Sequence, residues 1–250
     1  MEGEKRKLPD LSIWLFIFGL CFAVWHIGPV FLEFEIRNKF TVGDLVDLTT
    51  PYILIGLVVK LITLLRRRFT SSEGRDKISI ISYLLLAVGA ITFIEGHGIH
   101  LSSNAIYRHL GDNPISPLSS LTYFFDEIQG HIFWDVGLLI IAVALMLLDF
   151  HNGRRVRPNV SVYWVWVGAA LYGFTHFANG VEGQTAFFTF PAAVLIPLLL
   201  PVLILVRRRS LSGRPVVQFY LMAFLVADIF FVIWGVMNKG LPQFSELGWF

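Results

Sequence analysis

Apolar residues in this chain fall into long, nearly uninterrupted runs, and nowhere does the sequence show the strict alternation of a membrane barrel strand. Runs of the roughly 20 residues needed to cross a hydrocarbon core occur in seven places, at about 11–32, 51–65, 78–98, 120–148, 160–178, 187–206 and 216–237. Helices are the elements these runs predict, because a helix satisfies every backbone hydrogen bond within its own segment, as lipid requires. The expected fold is an all-α integral membrane protein, a seven-transmembrane-helix bundle forming one polytopic domain over residues 1–250. No connection between runs is long enough to hold a soluble domain.

Composition agrees: 55% of the 250 residues are hydrophobic, 15% are charged, and the mean hydropathy is +0.67, outside the usual range of soluble domains. Near the N-terminus "KRK" precedes an apolar run that is too long for a signal peptide and lacks a small-residue cleavage site, so the first helix is expected to remain as an anchor. The single cysteine, Cys21, lies in that helix, which excludes an internal disulfide and a cysteine-based zinc site.

Charge changes the picture by orienting it. Of the 20 Lys and Arg residues, 15 fall before the first run or in the second-to-third, fourth-to-fifth and sixth-to-seventh connections. Only Arg37, Lys39, Arg108 and Lys239 fall on the other side, and Lys60 lies within the second run. The positive-inside rule then places the N-terminus in the cytoplasm and the C-terminus outside, in a plasma or inner membrane if the source is prokaryotic. The net charge of +2 reflects these orienting arginines, whose secondary use is contact with lipid headgroups. It does not point to nucleic acid.

The polar residues inside the runs are the unusual feature. At about 1.5 Å per residue from the cytoplasmic helix ends, His26 is expected at ~22 Å, Glu95 at ~25 Å, His131 at ~27 Å, Asp135 at ~21 Å and His176 at ~24 Å. Four helices thus contribute to one layer toward the outer face, with Asp44, Asp47, Glu33 and Glu35 slightly above it. Intramembrane ionisable groups cost several kcal/mol and are normally turned inward and paired.

In "TYFFDEIQGHIFWDVG" the residues Glu127, His131 and Asp135 are spaced i, i+4, i+8 and form one helical stripe, with Asp126 and Glu127 expected at the rim. In "EGHGIHLSSN" His97, His100 and Asn104 share a face that Glu95 reaches only if the helix breaks at Gly96 and Gly98; those glycines serve equally for close helix packing. His97 and Glu95 are the deeper pair, and His100 lies nearer the rim. "THFANGVEG" adds His176, Asn179 and Glu182, with Gly180 and Gly183 at the helix end. Asp228 in the last run reads as either a proton carrier or a structural carboxylate. Pro191, Pro197 and Pro201 read as kinks.

Imidazoles and carboxylates without thiolates suit zinc, iron or manganese. The expected metal ligands are His131, His176 and His97, with Glu95 or Asp135 in place of one histidine, leaving a coordination position for water. Glu95, Asp135 and Glu127 are the candidate catalytic carboxylates; His26, His100, Asp126, Asp47, Asn179, Glu182 and Asp228 form a secondary set. The function expected is a metal-dependent membrane hydrolase or oxidoreductase acting on a lipidic or other apolar molecule from the outer leaflet. Alternatives are a redox subunit with b-type haem held by His97 and His176, or a quinone pocket, and a proton-coupled small-solute transporter. No phosphate-binding loop or nucleophile elbow is present.

In helix count the chain resembles the microbial rhodopsins, a likeness that implies a chromophore on a lysine in the last helix. That segment here reads "VVQFYLMAFLVADIFFVIWGVM", without lysine, which sets the family aside. In architecture the chain is also similar to the intramembrane zinc hydrolases that include alkaline ceramidases and adiponectin-receptor-like proteins. Their Ser-x-x-x-His and last-helix His-x-x-x-His motifs have no counterpart, so no residue is carried over.

Overall fold

A computed structural model describes residues 11–67, 77–110, 116–151, 161–206, 210–211 and 213–249. Most of the arginines and lysines that orient the sequence reading lie outside these residues. Seven long helices account for most of the chain: α1 (Leu11–Ile27), α3 (Thr50–Arg66), α4 (Lys77–Leu110), α6 (His131–His151), α7 (Val162–Glu182), α8 (Ala186–Val206) and α9 (Pro215–Asn238). Two short helices, α2 (Val42–Leu48) and α5 (Pro117–Tyr123), precede α3 and α6.

Among the described residues six helical segments are long and apolar enough to cross a membrane, so the chain is an all-α, multi-pass membrane protein. The seventh expected span corresponds to α7, which has 21 residues but carries Tyr172, His176, Asn179 and three glycines. This helix is sheltered between α1 and α9, and ten of its residues are buried.

Two groups of helices make up the body: α4 packs on α6, while α1, α7 and α9 form a second set flanked by α3 and α8. Small residues set the closest approaches, as in lipid, where packing rather than hydrophobic expulsion joins helices. Gly89 and Gly96 of α4 meet Gly137 and Gly130 across an antiparallel seam, seven residues apart on both sides. A side chain on Gly19 would strike the Gly168 carbonyl, and one on Gly173 would strike that of Ala223. Gly96 therefore serves packing, and α4 runs unbroken through residues 96–98, contrary to the break that would have brought Glu95 round.

One end of the bundle is elaborated. Beyond α1, a 3-10 turn (Gly28–Phe31) leads to a hairpin of β1 (Glu35–Arg37) and β2 (Phe40–Thr41), whose turn residues Asn38 and Lys39 both have positive φ. That is the twist two-residue hairpins require. Thr41 then opens α2 with a capping box: its hydroxyl accepts from the Asp44 amide at 3.1 Å and the Asp44 carboxylate accepts from the Thr41 amide at 2.7 Å.

The segment entering α6 is a π-helical stretch, Phe124–Gly130. Its i→i+5 bonding changes the angular phase of the side chains and is common beside functional sites. At the far end the Arg214 guanidinium donates to the carbonyls of Asp149 and Phe150, while the Asp149 carboxylate accepts from the amides of Val216 and Val217 at 3.0 and 3.2 Å. That exchange closes the C-terminus of α6 and the N-terminus of α9 together.

Candidate functional site

The elaborated end encloses a cavity of about 480 Å³ between the two helix groups. From α4 come His100, Asn104 and Arg108, spaced by four so that they lie along one face. The π-helical stretch and α6 supply Glu127, His131 and Trp134; α7 supplies Phe174, Asn179 and Glu182. His26 comes from the last turn of α1, Glu33 from the segment after it, Asp44 and Asp47 from α2, and Phe244 and Trp249 from the strap after α9.

Trp134 organises the wall. Its indole N–H donates to Nε2 of His26 at 3.1 Å, so that nitrogen carries no proton. Nδ1 of His26 is then the protonated one and donates to the Phe22 carbonyl at 2.8 Å, which fixes a neutral imidazole in one tautomer. The rings of His97, His100 and His131 lie 4.6, 5.5 and 5.7 Å from the Trp134 ring, and His100 lies 4.5 Å from His131. Gly183 makes room for His131, whose Nδ1 occupies the space a side chain at residue 183 would need.

Most of the acids at this end of the bundle have a defined neighbour. Nδ1 of His100 is 2.8 Å from the Asp126 carboxylate, a close contact without in-line hydrogen-bond geometry. Asp126 is only 4% exposed, so it is not the rim residue expected from sequence; the phase shift of the π-helical stretch turns it inward. Glu127 is half-buried beside Gln243. Asp44, besides capping α2, forms an ion pair with Arg108. The Asp47 carbonyl lies 2.8 Å from Nε2 of His97, and its carboxylate 3.5 Å.

The strap is anchored through Glu182, whose carboxylate accepts from the amides of Phe244 and Ser245 at 2.8 and 3.3 Å. The Gln243 amide donates to the Glu182 carbonyl at 2.5 Å, and the Trp234 indole donates to the Pro242 carbonyl at 2.9 Å.

Other expected site residues lie elsewhere. Glu95 is exposed on the side of α4 away from His97. Asp135, 2% exposed, accepts from the Thr185 hydroxyl and ties α6 to the start of α8, so it does not continue the stripe of Glu127 and His131 into the cavity. His176, 1% exposed, sits between Tyr172 and Phe224, and neither ring nitrogen has an in-line partner among the described residues. Asp228 is half-buried on α9 and does not line the cavity. The side chain of His151 is outside the described residues.

The expected metal set is therefore not assembled: His97 turns to Asp47, His131 to Trp134 and Gly183, His176 to an aromatic cage and Asp135 to Thr185. Among the described residues no three His, Cys, Asp or Glu side chains converge as ligands. Of the two histidines expected as haem ligands, His97 lies on α4, which packs on α6, and His176 on α7, which packs on α1 and α9.

Sequence reasoning passed over Arg108, Trp134 and the strap. The signal for Arg108 was present, because it extends the His100 and Asn104 spacing by one further turn.

No protein-family model matches the chain, and neither does any curated protein or solved structure.

Proposed function

We propose that this chain is a seven-helix membrane enzyme whose cavity opens to the extracytoplasmic side and works on an amphiphilic or lipidic small molecule by acid–base chemistry. The seventh span is α7, which packs between α1 and α9 and presents Tyr163, Trp164 and Trp166 outward, and the asymmetry of loop charges favours a cytoplasmic N-terminus. The observation that carries the reading is His100, which lines the cavity with its Nδ1 2.8 Å from the buried Asp126 carboxylate behind it, the His131 ring 4.5 Å away and Glu127 also on the lining.

A carboxylate fixed against one imidazole nitrogen orients the ring and raises its basicity, leaving the other nitrogen to take a proton from a bound molecule. Glu127 is placed to return a proton to a leaving group. Asp126 acts through His100 and is a positioning residue.

The test is conversion of a membrane lipid extract by the purified protein in nanodiscs, followed by mass spectrometry. His100→Ala and Glu127→Gln are expected to abolish the change, and Asp126→Asn to lower it and shift its pH profile. Conversion unaltered by His100→Ala sinks the assignment.

A second reading, a proton-coupled transporter, is favoured by one feature. Buried polar groups continue past the cavity along α7 and α9 through His176, Tyr172 and Tyr220, with ring centroids 6.4 and 5.5 Å apart in succession. A pH-dependent flux in proteoliposomes that is lost in Tyr220→Phe would establish it.

A further inference from the structure

The cavity's charge is lopsided. Five carboxylates line it, those of Glu33, Asp44, Asp47, Glu127 and Glu182, against one guanidinium, Arg108, which is already engaged by Asp44. Negative charge held in a partly dry cavity is costly unless a cation or a proton neutralises it. Part of the remaining wall is aromatic: Phe174 comes from α7, and Phe244 and Trp249 from the strap. Aromatic faces attract cations, quaternary ammonium groups above all. The cavity is also continuous with apolar surface, since Phe31 and Val30 on its lining are exposed.

Resting on the reading of this cavity as a ligand site, we infer that its ligand is a cationic amphiphile, an alkyl chain bearing a quaternary or protonated amine. The ammonium group sits among Asp47, Glu127 and Glu182, and the chain leaves past Val30 and Phe31. Glu182 accepts from the strap amides, and Asp47 faces His97 at 3.5 Å and accepts from the Thr50 hydroxyl at 3.3 Å, so Glu127 supplies the largest share of the attraction and Asp47 a smaller one.

The experiment compares three probes of equal chain length, octyltrimethylammonium, octanol and octyl sulfate, by titration into the full chain in nanodiscs of zwitterionic lipid. Tryptophan fluorescence is the readout, and empty nanodiscs correct for partition. Octyltrimethylammonium is expected to bind saturably, at least about tenfold more tightly than the other two, and to weaken with added salt, as charge pairing requires.

Glu127→Gln and, separately, Asp47→Asn are each expected to reduce its affinity several-fold and leave octanol unaffected; melting curves establish that the variants fold. Equal binding of octanol and octyltrimethylammonium overturns the cationic assignment but leaves a ligand cavity. If none of the three binds above partition, the ligand-site reading falls as well.

Discussion

Two glycines separated by one residue on α4 make opposite predictions. A methyl group at residue 96 would strike the Trp134 amide and lie 2.7 Å from the Gly130 carbonyl oxygen and 2.8 Å from the Phe133 carbonyl carbon, whereas one at residue 98 would meet nothing within 4 Å. Ordinary contact begins at 3.4 Å. Relieving the 2.7 Å contact alone to 3.4 Å takes about 0.7 Å, and the closer Trp134 amide requires more, so Gly96→Ala drives α4 and α6 apart by at least that much and forfeits about a quarter to a half of the dispersion attraction along that stretch of the seam.

Overpacking of this kind costs about 1–3 kcal/mol. Gly98→Ala, by contrast, gains up to about 1 kcal/mol of helix propensity. Unfolding is followed by tryptophan fluorescence on heating, where each kcal/mol moves the midpoint by about 2–4 °C for a chain near this size. Gly96→Ala should melt below the wild type and Gly98→Ala at or above it. The seam also holds His100 4.5 Å from His131, so Gly96→Ala should disturb octyltrimethylammonium binding while Gly98→Ala spares it. A Gly98→Ala midpoint below that of Gly96→Ala would falsify the packing account.

Three further perturbations follow from the hydrogen-bond pattern. Asp149→Ala strips the partner from two buried amides of α9, at Val216 and Val217, and is expected to cost about 2–4 kcal/mol in thermal unfolding; Asp149→Asn, which keeps an acceptor, should recover most of it. Arg108→Ala and Asp44→Asn each break one ion pair with Asp44 buried and Arg108 partly exposed, so their losses of about 1–3 kcal/mol should be markedly less than additive in the double variant; additive losses would rule out the pairing. Glu182→Ala frees the amides of Phe244 and Ser245, and limited proteolysis should then cut the strap several-fold faster with the helical circular dichroism unchanged; an unaltered cleavage rate would refute the anchoring role of Glu182.

What the sequence determined by itself was the class and the approximate spans. Hydrocarbon thickness and the cost of an unsatisfied backbone in lipid act on each run locally, so the helices can be read from residues 11–237 without knowing their neighbours. Helix spacing likewise placed His97, His100 and Asn104 on one face, because that relation is internal to α4. The tertiary structure decided how the polar residues divide among partners. A shared depth did not make Glu95, His131, Asp135 and His176 one site: the phase shift in Phe124–Gly130 turns Asp126 inward, Asp135 is taken by Thr185, and the unbroken α4 leaves Glu95 outside. Depth is fixed by position within a helix, but direction depends on the rotation of each helix against its neighbours. That rotation is set by close contacts such as Gly96 on Gly130 and Gly19 on Gly168, which pair residues distant in the chain and leave no local trace in it.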